Sequence, residues 1–321
     1  MIGAADTPRA GSRRLEEVVE RLVPRWARPP RLAVVLGGGA SLGAFEVGVL
    51  DVLARRGLVP DLLVGTSIGA INAAFWAFHP TPEMADRLLQ LWLACDRSTM
   101  IPDGPVPIFG RLVQRKRYLT TQSGVARAVS RGLPAEAAIE DAAIPLAIVA
   151  ADADRGTKVV LRSGPVLPAV MASTAIPVLF PPASVGGRRL VDGGVVANCD
   201  VETAVEAGMT DVLVVDVLGD GPVNGDSRLW DVAANTVSVM LRRQTDLAVR
   251  ACGRSARVAL LRPRFAVRPG PSDFDMTAQL YRWGQEAASA FVAARLRGRR
   301  RLRSGLFEYE TGRDHAAPAV A

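Results

Sequence analysis

The sequence predicts an α/β protein of three layers, a mainly parallel central sheet held between helices. Three observations carry this. Short apolar runs such as Leu32-Ala-Val-Val-Leu36 read as strands buried on both faces, because a parallel strand covered by helices has no wet side. Segments with helical apolar spacing alternate with these runs, the order that winds a parallel sheet. And 321 residues that are 49% apolar can bury a large core, which excludes a disordered, collagenous or disulfide-stapled chain.

Residues 1–30 are polar and rich in Arg and Pro, and are expected to form a loosely ordered basic arm with one short helix near Leu15–Leu22. Order is expected from Arg31. Leu32–Leu36 is the first strand, ended by glycines. Gly43–Arg56 is the first helix, with Ala44, Val47, Leu50 and Leu53 at helical spacing and Gly57 as its stop. The step repeats with a strand at Asp61–Gly65 and a helix at Ile68–Phe78. Between Arg97 and Ser123 periodicity fails. This Pro- and Gly-rich stretch holds Arg111, Arg115, Lys116 and Arg117 with Ile101, Val106, Ile108 and Phe109, and reads either as a surface connection or as a lid or binding loop. Ile144–Ala150 is a further strand, paired with Lys158–Arg162 across the turn at Asp154-Arg-Gly156. Asp211–Val217 is another buried strand. Helices fit Gly164–Ala172, Val201–Ala207, Leu229–Arg250 and Met276–Arg297. The folded domain is thus expected over 31–298, with 299–321 a basic, flexible tail.

Cys95, Cys199 and Cys252 are too scattered for a disulfide framework, and no Cys/His cluster suggests zinc, so neither metal nor cofactor is expected. The N-terminus lacks the apolar core of a secretory signal, and no run approaches the roughly 18 apolar residues of a membrane span. A cytoplasmic protein is expected, resting at most on a membrane surface. The net charge of +7 is concentrated in Arg295–Arg303, where six of nine residues are arginine. A solvated tail is the plain reading; contact with anionic headgroups or with nucleic acid are the alternatives. Aromatics do not interleave with this run, so no nucleic-acid partner is expected.

Gly65-Thr-Ser-Ile-Gly69 follows a predicted strand and opens a helix, the context in which small residues let the chain turn sharply and expose a nucleophile, Ser67. A serine hydroxyl needs a base. His79 lies at the far end of the same predicted helix, about 18 Å away at about 1.5 Å per residue, and His315 sits in a polar tail, so a Ser-His-Asp triad is disfavoured. The remaining candidate is Asp192, in Val191-Asp-Gly193-Gly194, whose glycines leave the backbone free to aim the carboxylate. A plain turn aspartate stays open as the alternative. To act as a base it would need its pKa raised by burial. Gly37-Gly38-Gly39-Ala40-Ser-Leu-Gly43 can direct N–H groups at a developing oxyanion. Read instead as a dinucleotide loop, its register fails. Starting at Gly38 puts Ala40 at the middle glycine, and starting at Gly37 puts Leu42 at the last; Asp61 also opens the next strand rather than ending it.

These residues together resemble the patatin-like phospholipase family, over about 32–217. The match runs through Leu36–Leu50, Gly65–Ala73, Ala172-Ser-Thr-Ala-Ile-Pro-Val-Leu-Phe-Pro-Pro182, Val191–Asn198 and the strand at Asp211–Val217. The resemblance implies a Ser–Asp dyad that deacylates lipid esters, phospholipids foremost, through an acyl-serine. Ser67 would be the nucleophile, Asp192 the base, and the Gly37–Ala40 backbone the oxyanion hole. It also implies no metal, and it makes the 97–123 stretch a lid or a lipid-facing surface. Three positions depart from the family pattern. Leu42 stands where Arg or Lys is usual, Ala40 where the third glycine of the run falls when counted back from Gly43, and Asp200 where a proline commonly follows Asn198. Pro177, Phe180, Pro181 and Pro182 read as packing and turn residues. A noncatalytic lipid-binding module on the same fold and a triad esterase are the rival readings.

Overall fold

The computed structural model describes residues 30–100, 118–134, 136–222, 229–298 and 300–312. The expected helix near Leu15–Leu22, most of the 97–123 stretch and His315 lie outside these. The chain begins as the apolar runs predict, with β1 (Leu32–Leu36), α1 (Gly43–Arg55), β2 (Leu62–Thr66) and α2 (Ile68–Phe78). Three helices that the sequence reading did not place follow: α3 (Met84–Leu93), α4 (Arg97–Met100) and α5 (Ser123–Gly132). Next come β3 (Leu146–Asp152), β4 (Lys158–Leu161), α6 (Val166–Ser173), β5 (Ala183–Val185), β6 (Arg188–Asp192), α7 (Val201–Glu206) and β7 (Asp211–Val215). The chain closes with α8 (Leu229–Cys252), β8 (Arg257–Arg264), α9 (Thr277–Arg295), the short pair β9 (Leu296–Arg297) and β10 (Arg301–Leu302), and β11 (Gly305–Glu310).

Among the described residues nine strands make one sheet, in the order β11-β8-β7-β1-β2-β3-β6-β5 with β4 also on β3. Every pair from β11 to β3 is parallel. β4, β5 and β6 run antiparallel to their neighbours. The two-residue period of a strand sends alternate side chains to opposite faces. Leu32, Val34 and Leu36 enter a core shared with α1, α2, α3 and α9, while Ala33 and Val35 enter a second one with Val201 and Ala204 of α7 and Val249 of α8. β1 has no solvent face left, hence its unbroken apolar sequence.

Register decides where a site can form. β4 occupies one edge of β3 over Ile148–Ala151, so β2, paired with Leu146–Val149, and β6, paired with Ala150–Asp152, must share the other edge end to end. β2 runs parallel to β3 and β6 antiparallel, so their carboxyl ends meet: Thr66 lies opposite Val149 and Asp192 opposite Ala150. β1 stands between β2 and β7, so the glycine loop after it opens at the carboxyl edge where connections part to either side, the usual crevice of such sheets.

The C-terminal reading needs correction. Gly305–Glu310, assigned to a flexible tail, is an edge strand of the main sheet, with Phe307 edge-on to Phe291 and the Tyr309 hydroxyl donating to Glu286. The arginine run before it is partly structural. Arg295 donates to the carbonyls of Ser304 and Leu306, and Arg300 pairs with Asp61. Among the described residues no helix is long and apolar enough to cross a membrane.

Candidate active site

Ser67 occupies the corner between β2 and α2 at φ 55° and ψ −125°. That left-handed conformation costs a non-glycine residue about 1–3 kcal/mol, so neighbours must enforce it. They do. The Ser67 N–H donates to Ser173 Oγ at 2.8 Å, and the Ser173 hydroxyl donates to the Val149 carbonyl at 2.6 Å, clamping the corner to α6 and β3. The flanking glycines are needed for close approach: a Cβ on Gly69 would stand 2.4 Å from the Leu36 carbonyl oxygen, and one on Gly65 would stand 2.5 Å from Ala70 Cα. Ser67 is buried but not sealed, at 7% exposure, and sits at the N-terminus of α2, where peptide dipoles favour a developing anion.

Asp192 ends β6 and faces the Ser67 hydroxyl. Its N–H donates to the Ala175 carbonyl and its Oδ1 accepts from the Gly194 N–H at 2.8 Å. Burial pushes the carboxyl up from its ordinary 3.8 to about 6, although the Ser67 hydroxyl and the Gly194 N–H both stabilise the anion. Desolvation therefore wins over hydrogen bonding here. Gly193 lets the turn pass β3, since a Cβ there would meet the Val149 carbonyl oxygen at 2.3 Å.

The glycine loop runs beside this pair. A Cβ on Gly38 would lie 2.9 Å from Ser67 Cβ and 2.8 Å from Asn198 Oδ1, so only glycine fits. One predicted member of the oxyanion loop is corrected: the Gly37 N–H donates to the Val215 carbonyl and so belongs to the sheet. The Gly38 N–H donates to Asn198 Oδ1 at a long 3.2 Å. Among the described residues the Gly39 and Ala40 N–H groups meet no protein acceptor. Behind the loop, Glu46 of α1 is fully buried and accepts from the Asn72 amide at 2.7 Å; burial holds its carboxyl well above the usual range.

His79 is far from this chemistry. It caps the opposite end of α2, its Nε2 3.0 Å from the Gly132 carbonyl oxygen. Two positioning residues escaped the sequence reading. Ser173 holds the corner, and Asn198 bridges Gly38 to α8, its N–H donating to Gln244 Oε1 at 2.7 Å. Both stand within recognisable motifs; the available signal was a polar residue set among apolar and small neighbours. Among the described residues no cluster of His, Cys, Asp and Glu is arranged to hold a metal ion.

The family model described as patatin-like phospholipase matches residues 34–205, more than half of the chain and all of the elements that build this corner. The chain belongs to the patatin-like phospholipase family. An uncharacterized NTE family protein of Mycobacterium tuberculosis is 30% identical over 219 residues, covering 68% of this chain and 57% of that protein. Human patatin-like phospholipase domain-containing protein 6 is 28% identical over 190 residues, 58% of this chain but 13% of its own length. The chain thus spans less than two thirds of these relatives. The crystal structure of VipD from Legionella pneumophila overlaps 83% of this chain and 67% of its own, with TM-score 0.44 and 14% identity.

Within the patatin-like frame, the three departures have structural accounts. Ala40 sits at φ 50°, where a glycine would be unstrained. Leu42 is buried in the core beneath the loop instead of presenting a cation. Asp200 caps α7, its carboxylate accepting from the Thr203 N–H and hydroxyl, and pairs with Lys158 at 3.1 Å. A side-chain cap of this kind replaces what a proline would contribute by fixing φ at a helix start.

Proposed function

We propose that this chain is a lipid acyl hydrolase that cleaves carboxylic esters, phospholipids foremost, through an acyl-Ser67 intermediate with Asp192 as the base. The observation that carries the reading is the Ser67 hydroxyl facing a carboxylate whose pKa is drawn by burial to about 6, near the range where a base works at neutral pH. Asp192 takes the Ser67 proton as Oγ attacks the ester carbonyl carbon. The carbonyl oxygen becomes an anion held by the amides of Gly38, Gly39 and Ala40, the first of them exchanging its long bond to Asn198 for a stronger charged acceptor. Collapse expels the alcohol, which receives the proton from Asp192. Water then attacks the acyl carbon as it gives a proton to Asp192, and the second tetrahedral intermediate breaks its bond to Ser67 Oγ, which takes that proton back from Asp192 as the carboxylic acid leaves.

A fluorophosphonate probe tests the nucleophile. Peptide mapping should find the label on Ser67, and Ser67→Ala should neither label nor turn over ester. His79→Ala should keep both properties. Label on another residue, or turnover that requires His79, refutes the dyad. Binding of lipid by a wild-type chain that never cleaves ester would favour the noncatalytic module.

A further inference from the structure

A helix lying on a sheet is expected to turn its apolar side chains inward. α8 half-buries Leu241, Ala248 and Val249 and fully buries Thr245, yet it leaves Val232, Val237, Val239, Met240 and Leu247 about half exposed, with Met240 at 66%. At about 100° per residue these five positions fall within one half of the helix circumference, opposite Thr245. Single exposed apolar residues need no explanation, but five on one half of a helix, with Val237, Val239 and Met240 adjoining, do.

The stripe borders the site. Leu241 Cδ1 lies 3.9 Å from where a Gly194 Cβ would stand, Gln244 holds Asn198, and Val195, 55% exposed, follows the Asp192-Gly-Gly turn directly. Its charge is one-sided. Arg243 and Arg250 are exposed on the same half, while Asp246, the one acid between Val232 and Cys252, is engaged by Arg262 at 2.8 Å.

We propose that the outward face of α8 docks on an anionic phospholipid surface and holds the mouth of the Ser67 site at the headgroup level. Apolar side chains flanked by arginines suit a helix lying in the plane of the interface, with methyl groups at the acyl boundary and guanidinium groups on phosphates. The proposal rests on reading the site as a lipid acyl hydrolase, since an ester that stays in a bilayer must be reached there. It assigns to α8 the contact that the sequence reading sought in the 97–123 stretch.

The test is flotation of the full chain with vesicles of phosphatidylcholine, with and without phosphatidylglycerol. Wild type should float with the anionic vesicles, and the Val239→Ser/Met240→Ser double variant should lose about tenfold or more in partitioning. Arg243→Gln should abolish much of the salt sensitivity. Circular dichroism and thermal melting report folding, and Met240→Ser alone carries the test if the double variant melts early. Equal flotation of wild type and variant overturns the proposal. So does a wild type that ignores vesicles but dimerises through this face, as sedimentation would reveal. Flotation does not depend on turnover: loss of binding in the variant supports the docking face even if no ester is cleaved, an outcome that would refute only the hydrolase reading.

Discussion

Replacing Asp192 by asparagine should make the protein more stable while removing its activity. The carboxyl titrates at 3.8 when solvated and at about 6 in the folded chain, because burial disfavours its anion. Well below pH 3.8 both states hold the proton and the group contributes nothing relative to its neutral form. As pH rises toward 6 the unfolded chain releases its proton first, so folding must carry the cost of keeping one bound. The interval, at about 1.36 kcal/mol per pH unit, makes wild type about 3 kcal/mol less stable at pH 7.5 than at that acid limit, relative to a chain that does not titrate there. Asparagine is near in shape, can still accept from the Gly194 N–H, and has no charge to bury. For 321 residues, with an unfolding entropy of about 2.1 cal/mol/K per residue, the difference corresponds to about 4 °C in the melting midpoint. Thermal scans of both proteins from pH 4 to 8 should diverge steadily to about pH 7 and then run parallel. A gap that is constant across this range would refute the raised pKa, and with it the reason for assigning Asp192 as base. The same group should set the acid limb of kcat/KM, with activity rising as pH passes about 6.

Other substitutions probe the supports. Ala40→Gly should relieve the left-handed strain at φ 50° and stabilise by about 1 kcal/mol with turnover retained, as chemical denaturation and ester assays would show. Ser173→Ala leaves the buried Ser67 N–H without an acceptor, so we expect a stability loss of about 1–3 kcal/mol and a fall in kcat as the corner relaxes. Asn198→Ala frees the Gly38 peptide while the backbone N–H keeps its bond to Gln244; kcat should fall about tenfold or more with KM little changed, since the loop's aim matters most when the oxyanion forms.

Much of the fold was legible because its signals are local. Leu32–Leu36 and Asp211–Val215 are central strands, covered on both sides, and so carry no polar alternation to obscure them. β11 was missed because it is an edge strand: Leu306 is exposed, Phe307 half-buried and Tyr309 buried, a weak alternation that follows directly on a charged run. α3 and α5 were missed although Met84, Leu88 and Trp92 stand at helical spacing. They flank the irregular 97–123 stretch, in segments to which the sequence reading assigned no element. Arg295 and Arg300 looked like solvated charge because nothing local reveals that the carbonyls of Ser304 and Leu306 and the carboxylate of Asp61 await them.

The chemistry divides in the same way. The chain itself determined that residue 67 would sit at a strand-to-helix corner, because glycines on either side and an apolar run before it are properties of adjacent residues. It also determined that Asp192 would lie in a turn free to be aimed. Tertiary structure alone decided that the two would meet, through β2 and β6 docking end to end on one edge of β3, a pairing between distant segments that no local pattern encodes. It alone raised the carboxyl's pKa, withdrew the Gly37 amide into the sheet and turned the apolar stripe of α8 outward. Each of these depends on which surfaces are covered once the layers close.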